Sequence, residues 1–311
     1  MAKILLVSKD VGGSKVLIPI ALESTQNGHN NVIITEGFAS ARFEQENLKT
    51  YFKGTTDFLK EPFNIDVAAA LDVQNPDIVV VSLGYPIHLE FEFAAKAVEK
   101  RIPLVAVEDY WSVSARLQHV VPDLILTLDE YGKCLAKRQF PRAHIEIAGN
   151  SGVSKIIPRK ETAAFFEDAR KHGRIYAFIG GYNTACDIEL LVKSLEQTRV
   201  NWRLVPRLHP KCENVVMPGS KETYGELFKR LTAPFGDRVL YAPQCTTGEI
   251  AACADITVSS FSTVLATAVY SGKTAVSLQT HDSVAELKKQ TQLNEVPVVA
   301  LGCAHKVEYP C

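Results

Sequence analysis

The sequence predicts an α/β protein built from two Rossmann-like parallel-sheet domains that face each other across a cleft. Short apolar runs alternate with longer amphipathic ones, which is the rhythm of serial strand, helix, strand units. Several runs, Ile78-Val79-Val80-Val81 above all, are apolar without a break, as strands covered on both faces are. The rhythm restarts after Ala148-Gly149-Asn150-Ser151-Gly152 and Pro158, and 311 residues at roughly 150 per domain allow two domains. The expected division is 1–155 and 156–311, with a linker near residues 150–160.

In order, Lys3 to Ser8 reads as a buried strand and Asp10 to Gly13 as a tight loop. Val16 to Gln26 is a helix closed by Asn27-Gly28, where glycine suits the left-handed cap. Asn31 to Thr35 is a strand, and Ala39 to Leu48 and Ile65 to Val73 are helices. Pro76-Asp77 announces the strand Ile78 to Ser82. Leu89 to Glu99 is a helix, and Pro103 to Val107 and Leu124 to Leu128 are strands. In the second half the strands are Ile175 to Ile179, Trp202 to Val205, Val239 to Ala242, Ile256 to Ser259 and Thr274 to Leu278. Helices at Asp187 to Gln197, Lys221 to Thr232, Thr247 to Cys253 and Ser262 to Tyr270 separate them.

Thirty-four Lys and Arg against 35 Asp and Glu give a net charge of -1, so no lopsided field points to nucleic acid or a lipid surface. The apolar runs are strand-sized, far below the roughly 20 residues of a spanning helix. Met1-Ala2-Lys3 leads straight into the first strand with no signal peptide. The seven cysteines contain no CxxC pair, and reduced thiols in a cytoplasmic protein are expected. Cys186 and Cys253 stand in apolar context and read as core. The eight histidines are scattered with no H-E-x-x-H, and no metal site is expected.

Ligands of doubly wound sheets bind outside the carboxyl ends of the strands. The first loop offers Asp10, Gly12, Gly13, Ser14 and Lys15, whose glycines permit close approach to a ligand or make a plain tight turn. Its spacing is neither a Walker loop nor G-x-G-x-x-G. Glu108 and Asp109 put two carboxylates at a buried strand end, a general base with its orienting partner or a helix cap. Arg203, Arg207 and His209, the last fixed by Pro210, suit phosphate, and His209 also suits a general acid. Ser259, Ser260 and Ser262 precede an apolar helix and either cap it or help hold a phosphoryl group. Gly181 lies in a second glycine loop, Gly180 to Thr184. Gln244, Thr246, Thr247 and Glu249 are base or sugar contacts, or caps.

The first glycine loop, Glu108-Asp109, His209-Pro210 and Ser259-Ser260, in this order, resemble the landmarks of the two-domain GT-B glycosyltransferases. The pattern is nearest to transferases with cytidine-nucleotide donors, including bacterial sialyltransferases and their capsule- and teichoic-acid relatives. The resemblance implies that Asp109 with Glu108 supplies the base, while the HP pair and the serine pair hold the nucleotide phosphate. Tyr110 stands where a glycine usually completes the acidic motif. The second half also resembles nucleotide-sugar 2-epimerases, although their amino-terminal arginine-rich signature is missing after Val7.

The activity so implied moves a sugar from a CMP-, CDP- or UDP-linked donor to a hydroxyl acceptor such as a glycan or cell-envelope precursor. It inverts the anomeric centre and requires no metal or cofactor. The catalytic candidates are Asp109, Glu108 and His209. The donor candidates are Gly12, Gly13, Gly181, Arg203, Arg207, His209, Ser259, Ser260 and Ser262. The first domain would take the acceptor and the second the donor; an oligomer stays allowed. The alternatives are a nucleotide-sugar 2-epimerase or hydrolase, and a non-catalytic nucleotide-sugar-binding protein.

Overall fold

The structure, a computed structural model, describes residues 1–53, 65–150, 155–180, 185–209, 212–217 and 219–308. The chain forms two compact units, Met1–Gly152 with Gln290–Gln292, and Val153–Lys289 with Leu293–Cys311.

The first unit runs β1 (Lys3–Ser8), α1 (Val11–Gln26), β2 (Asn30–Thr35), α2 (Phe38–Gln45), β3 (Phe52–Lys53), α3 (Val67–Gln74), β4 (Ile78–Val81), α4 (Leu89–Glu99), β5 (Leu104–Val107), a 3₁₀ turn Val113–Leu117, β6 (Leu124–Thr127), α5 (Glu130–Gln139) and β7 (His144–Ile147). Its seven strands pair in parallel in the order β3-β2-β1-β4-β5-β6-β7. Leu5, Val7, Val79 and Val81 enter one core with Phe93 and Ala97, whereas Leu6 and Val80 enter another with Leu17 and Phe43. Alternate residues of one strand thus feed two covered faces, which is why Ile4 to Val7 of β1 and Ile78 to Val81 of β4 are apolar without a break.

The second unit runs α6 (Lys160–Arg170), β8 (Arg174–Gly180), α7 (Ala185–Gln197), β9 (Trp202–Leu208), α8 (Tyr224–Thr232), α9 (Thr247–Cys253), β10 (Ile256–Ser259), α10 (Thr263–Tyr270), β11 (Thr274–Gln279), α11 (His281–Thr291), α12 (Pro297–Ala300) and β12 (His305–Glu308). The strand order is β12-β11-β10-β8-β9, again parallel. Phe178, Leu204, Val258 and Leu278 from the sheet pack on Leu191 and Leu195 of α7 and Phe228 of α8. Both units are Rossmann-like parallel-sheet domains. No helix among the described residues is long and apolar enough to cross a membrane.

Three aspartates each stand one residue before a strand and clamp the amino end of its neighbour. Asp77 Oδ2 accepts the amide of Lys3 at 2.7 Å, and Asp123 Oδ2 that of Leu104 at 2.8 Å. Asp255 Oδ2 accepts the amide of Ile175 at 2.9 Å while its Oδ1 pairs with Arg170 Nε at 2.9 Å. The carboxylates satisfy amides that the ladder leaves open where the strands begin.

Four expectations change. Helix α1 starts at Val11, so Gly12 and Gly13 belong to its first turn and not to a loop. Val239 to Ala242 is not a strand; Val239 makes only an isolated bridge to Leu204. Cys186 is exposed, whereas Cys253 is buried as expected. Helices α5, α6, α11 and α12 and strands β3, β7 and β12 were not anticipated: β7, for one, is an edge strand with three of its four residues exposed, so it has no apolar run to notice.

Asp123→Ala is expected to cost about 1 kcal/mol by leaving the Leu104 amide open. Asp255→Ala should cost more, because Arg170 also loses its carboxylate and keeps only the Cys253 carbonyl. Urea unfolding followed by circular dichroism measures both, and parental midpoints would show that the clamps carry no stability.

Candidate functional site

In the first unit β1 lies between β2 and β4, so the chain leaves it in opposite directions along the sheet and a crevice opens at the carboxyl ends of β1 and β4. The segments after β1, β4 and β5 bring Asp10, Tyr85 and Asp109 to this edge, all half-buried. Asp10 is the N-cap residue of α1, and its Oδ2 accepts the Tyr85 amide at 2.8 Å. A Cβ on Gly12 would collide with Oδ2 of Asp109, and one on Gly13 with the side chain of Ser82. Both glycines therefore serve close approach of the protein to itself: Gly13 seats α1 on β4, and Gly12 lets the Asp109 carboxylate rest on the first turn of α1. A helix carries partial positive charge there, which attracts a carboxylate. Asn150 Nδ2 donates to the Asp109 carbonyl at 2.7 Å and fixes its backbone.

Glu108 has a different place. It is fully buried; its Oε2 accepts from Thr127 Oγ1 at 2.6 Å and its Oε1 from the amide of Ser114 at 3.0 Å. Burial pushes its carboxyl up to about 6. It ties the 3₁₀ turn to β6 and does not reach the edge where Asp109 stands. From that turn Arg116 donates to the Leu83 carbonyl and, through Nε, to Gln290 O at 3.0 Å. Its guanidinium lies 5.3 Å from the centre of the Tyr85 ring. Burial lowers its pKa, and the charges of Asp109 and Asp10 oppose that shift.

In the second unit the crevice falls at the carboxyl ends of β8 and β10. Strand β9 runs to Leu208, so His209 follows it directly. Its amide donates to Gly180 O at 2.9 Å and its carbonyl accepts from the Cys212 amide at 2.8 Å, which pins the half-buried residue on the edge. Arg207 is half-buried nearby, with Nη2 3.3 Å from Cys245 O. Arg203 is not brought there: about 13 Å of strand separates it from Arg207. Its Nη1 donates to Asp237 O at 2.6 Å, at the opposite end of β9. Gly181 and Pro210 lie outside the described residues.

The serine turn also departs from expectation. Ser259 and Ser260 are buried and their hydroxyls are engaged inside the unit. Ser259 Oγ donates to Ile179 O at 2.7 Å, and Ser260 Oγ donates to the carboxylate of Asp187. The edge itself presents Phe261, Ser262 and Thr263, with Ser262 capping α10 by accepting the Val264 amide at 3.3 Å. Register places Ser260 beside the end of β8 and His209 on its far side, about 10 Å apart. Thr246 and Glu249 form a capping box, and buried Glu249 binds Arg159 Nε at 2.7 Å; both are structural. That hydrogen-bonded pair holds the Glu249 carboxyl well below the usual range.

Sequence reasoning passed over Glu90 and Asp187, both fully buried. Glu90 shares the buried stripe of α4 with Phe93, Ala94 and Ala97, and Asp187 that of α7 with Ile188, Leu191 and Leu195. A carboxylate in an otherwise apolar helical stripe was the available signal. Arg116 sits in a short 3₁₀ turn, where no periodicity marks it. Among the described residues no group of three His, Cys, Asp or Glu is arranged to hold a metal ion.

Burial raises Asp187 to about 6, like Glu108, while both return to ordinary values near 4 on unfolding. A raised folded value means that their contribution is complete below about pH 4 and is lost as pH climbs through 6. Stability should therefore fall by about 2 kcal/mol per group between pH 4 and 7, and Asp187→Asn and Glu108→Gln should each flatten that fall. Denaturant titrations at the two pH values test this, and an unchanged slope in both variants would refute it.

No family model and no curated protein matches the sequence. The fold is similar to that of a UDP-GlcNAc 2-epimerase from Neisseria meningitidis bound to UDP-GlcNAc: TM-score 0.68 at 14% identity, over 97% of this chain and 86% of that one. It is similar to S. aureus MnaA solved with UDP, at TM-score 0.65 and 10% identity over 90% and 80%. It is also similar to Acinetobacter baumannii MurG, at TM-score 0.59 and 14% identity over 99% and 86%. Glycosyltransferases such as the spinosyn rhamnosyltransferase SpnG share it as well, at TM-score 0.59. These likenesses show the fold: two Rossmann-like parallel-sheet units of the GT-B type, a fold that the epimerases share.

Proposed function

We propose that the chain is an enzyme acting on a nucleotide sugar, and that it transfers the sugar to a hydroxyl acceptor with inversion. The observation that carries this reading is the contrast between the two carboxyl edges. The first unit offers the half-buried carboxylates Asp109 and Asp10 at the start of α1. The second offers His209 and Arg207 at the end of β9, with the end of β8 between them and the start of α10. Asp109 takes the proton of the acceptor hydroxyl, whose oxygen attacks the anomeric carbon. The bond to the phosphate oxygen breaks, and the leaving nucleotide keeps the electron pair. His209, Arg207 and the first turn of α10 stabilise that charge. Charge neutralisation by protein donors makes a metal unnecessary to the scheme. A UDP-linked donor is favoured over CMP or CDP because the S. aureus and N. meningitidis relatives in fold are solved with UDP and UDP-GlcNAc.

Epimerisation at the carbon next to the anomeric centre is the second reading. It is favoured by the presence of two carboxylates, Asp10 and Asp109, where one proton must be removed and another returned. Turnover of a UDP-sugar without any acceptor would select it. Turnover only with an acceptor selects transfer.

Asp109→Asn should lower turnover about 10²–10⁴-fold and leave UDP affinity intact, because an amide cannot take the proton. His209→Ala should weaken UDP binding by about 1.5–3 kcal/mol. Steady-state kinetics and titration calorimetry with UDP check the two. Parental turnover in D109N would remove Asp109 as the base, and parental UDP affinity in H209A would remove His209 from the donor site.

A further inference from the structure

Glu90 projects from the first turn of α4 into the interior beneath the crevice of the first unit. Its Oε1 accepts from the amide of Lys9 at 3.1 Å, the amide of Gly84 at 3.3 Å and Ser82 Oγ at 3.5 Å. These donors belong to the segments that leave β1 and β4, the two strands flanking the crevice. Oε2 is buried and makes no hydrogen bond. A Cβ on Gly84 would lie 2.8 Å from Glu90 Oε1 and 3.1 Å from Asp10 Oδ2, so the bare glycine lets two carboxyl groups close on one loop. They take consecutive amides of that loop: Glu90 takes Gly84 and Asp10 takes Tyr85.

We propose that Glu90 is a positioning residue, a neutral acid that holds the loop after β4 so that the Tyr85 amide fixes the carboxylate of Asp10. Oε2, which accepts no hydrogen bond, is the oxygen open to the proton of that acid. This rests on the reading that the carboxylates of the first unit meet the substrate. The charged groups facing Glu90 are Lys9 and Asp10 from the segment after β1 and Arg116 from the 3₁₀ turn. Burial first, then the charge of Asp10, push Glu90 up to about 7. Above that pH Glu90 ionises against Asp10, and two like charges on adjacent amides force the loop apart.

The test has an arm that does not depend on turnover. Carbon-13 NMR of labelled glutamate carboxyls, with the Glu90 signal identified by its loss in E90Q, should show a midpoint near 7. In Asp10→Asn, which keeps an acceptor for Tyr85 but removes the charge, that midpoint should fall. Glu90 titrating in the ordinary carboxylate range, or unmoved in D10N, overturns the proposal. The second arm compares Glu90→Leu and Glu90→Gln in turnover of UDP-GlcNAc. A misplaced group typically costs up to about 100-fold, so E90L should lose about 10–100-fold in kcat with UDP affinity intact. E90Q should retain more turnover than E90L and lack the decline above pH 7. Parental kcat in E90L overturns the clamp. If E90L fails to fold, E90Q and the titration decide. If the parent turns over no UDP-sugar, the proposed function fails, while the titration still judges the link between Glu90 and Asp10.

Discussion

Parallel pairing brings every segment that leaves a strand to one edge of the sheet and every segment that enters to the other. The two edges then serve different ends. On the entering side, aspartates one residue ahead of β4, β6 and β10 tie down neighbouring amides and close the sheet. On the leaving side, the acidic and basic groups of both units gather, because loops there are free to vary while the sheet holds their roots. An aspartate's meaning in this chain depends on which edge it occupies: Asp77 is a clamp, and Asp109 is a candidate base.

Buried carboxyls stand behind three of the segments that leave the strands. Glu108 lies under the segment that carries Asp109, Glu90 under the loop that binds Asp10, and Asp187 under the serine turn. Burying a carboxyl is costly, and all three respond by shifting toward the neutral form. Each accepts hydrogen bonds from backbone or hydroxyl groups at or beyond the strand ends. Such networks add rigidity to the loops they join.

The fold was largely legible in the sequence because its strands are covered on two faces and announce themselves as unbroken apolar runs. Parts that depend on one-sided burial, such as β7 and α5, gave no comparable signal. The candidate site was legible by place more than by role. Asp109, Arg207 and His209 stand at strand ends as expected, but Glu108, Ser259 and Ser260 turn inward, and Arg203 turns to the wrong end of its strand. A motif fixes where the backbone goes; the direction of a side chain depends on the register and on what waits across the sheet. Ser260 faces inward because Asp187, distant in sequence, offers it an acceptor.

The first unit is not finished by a continuous stretch of chain. It claims Gln290–Gln292, where Arg116 Nε finds the Gln290 carbonyl and Ser112 Oγ finds that of Thr291 at 2.9 Å. During synthesis at about 5–20 residues per second, those acceptors leave the ribosome roughly ten seconds after Gly152. Until then the Arg116 guanidinium has only part of its final company. The nascent first unit waits in an incomplete form for a piece of chain that must be made after nearly all of the second.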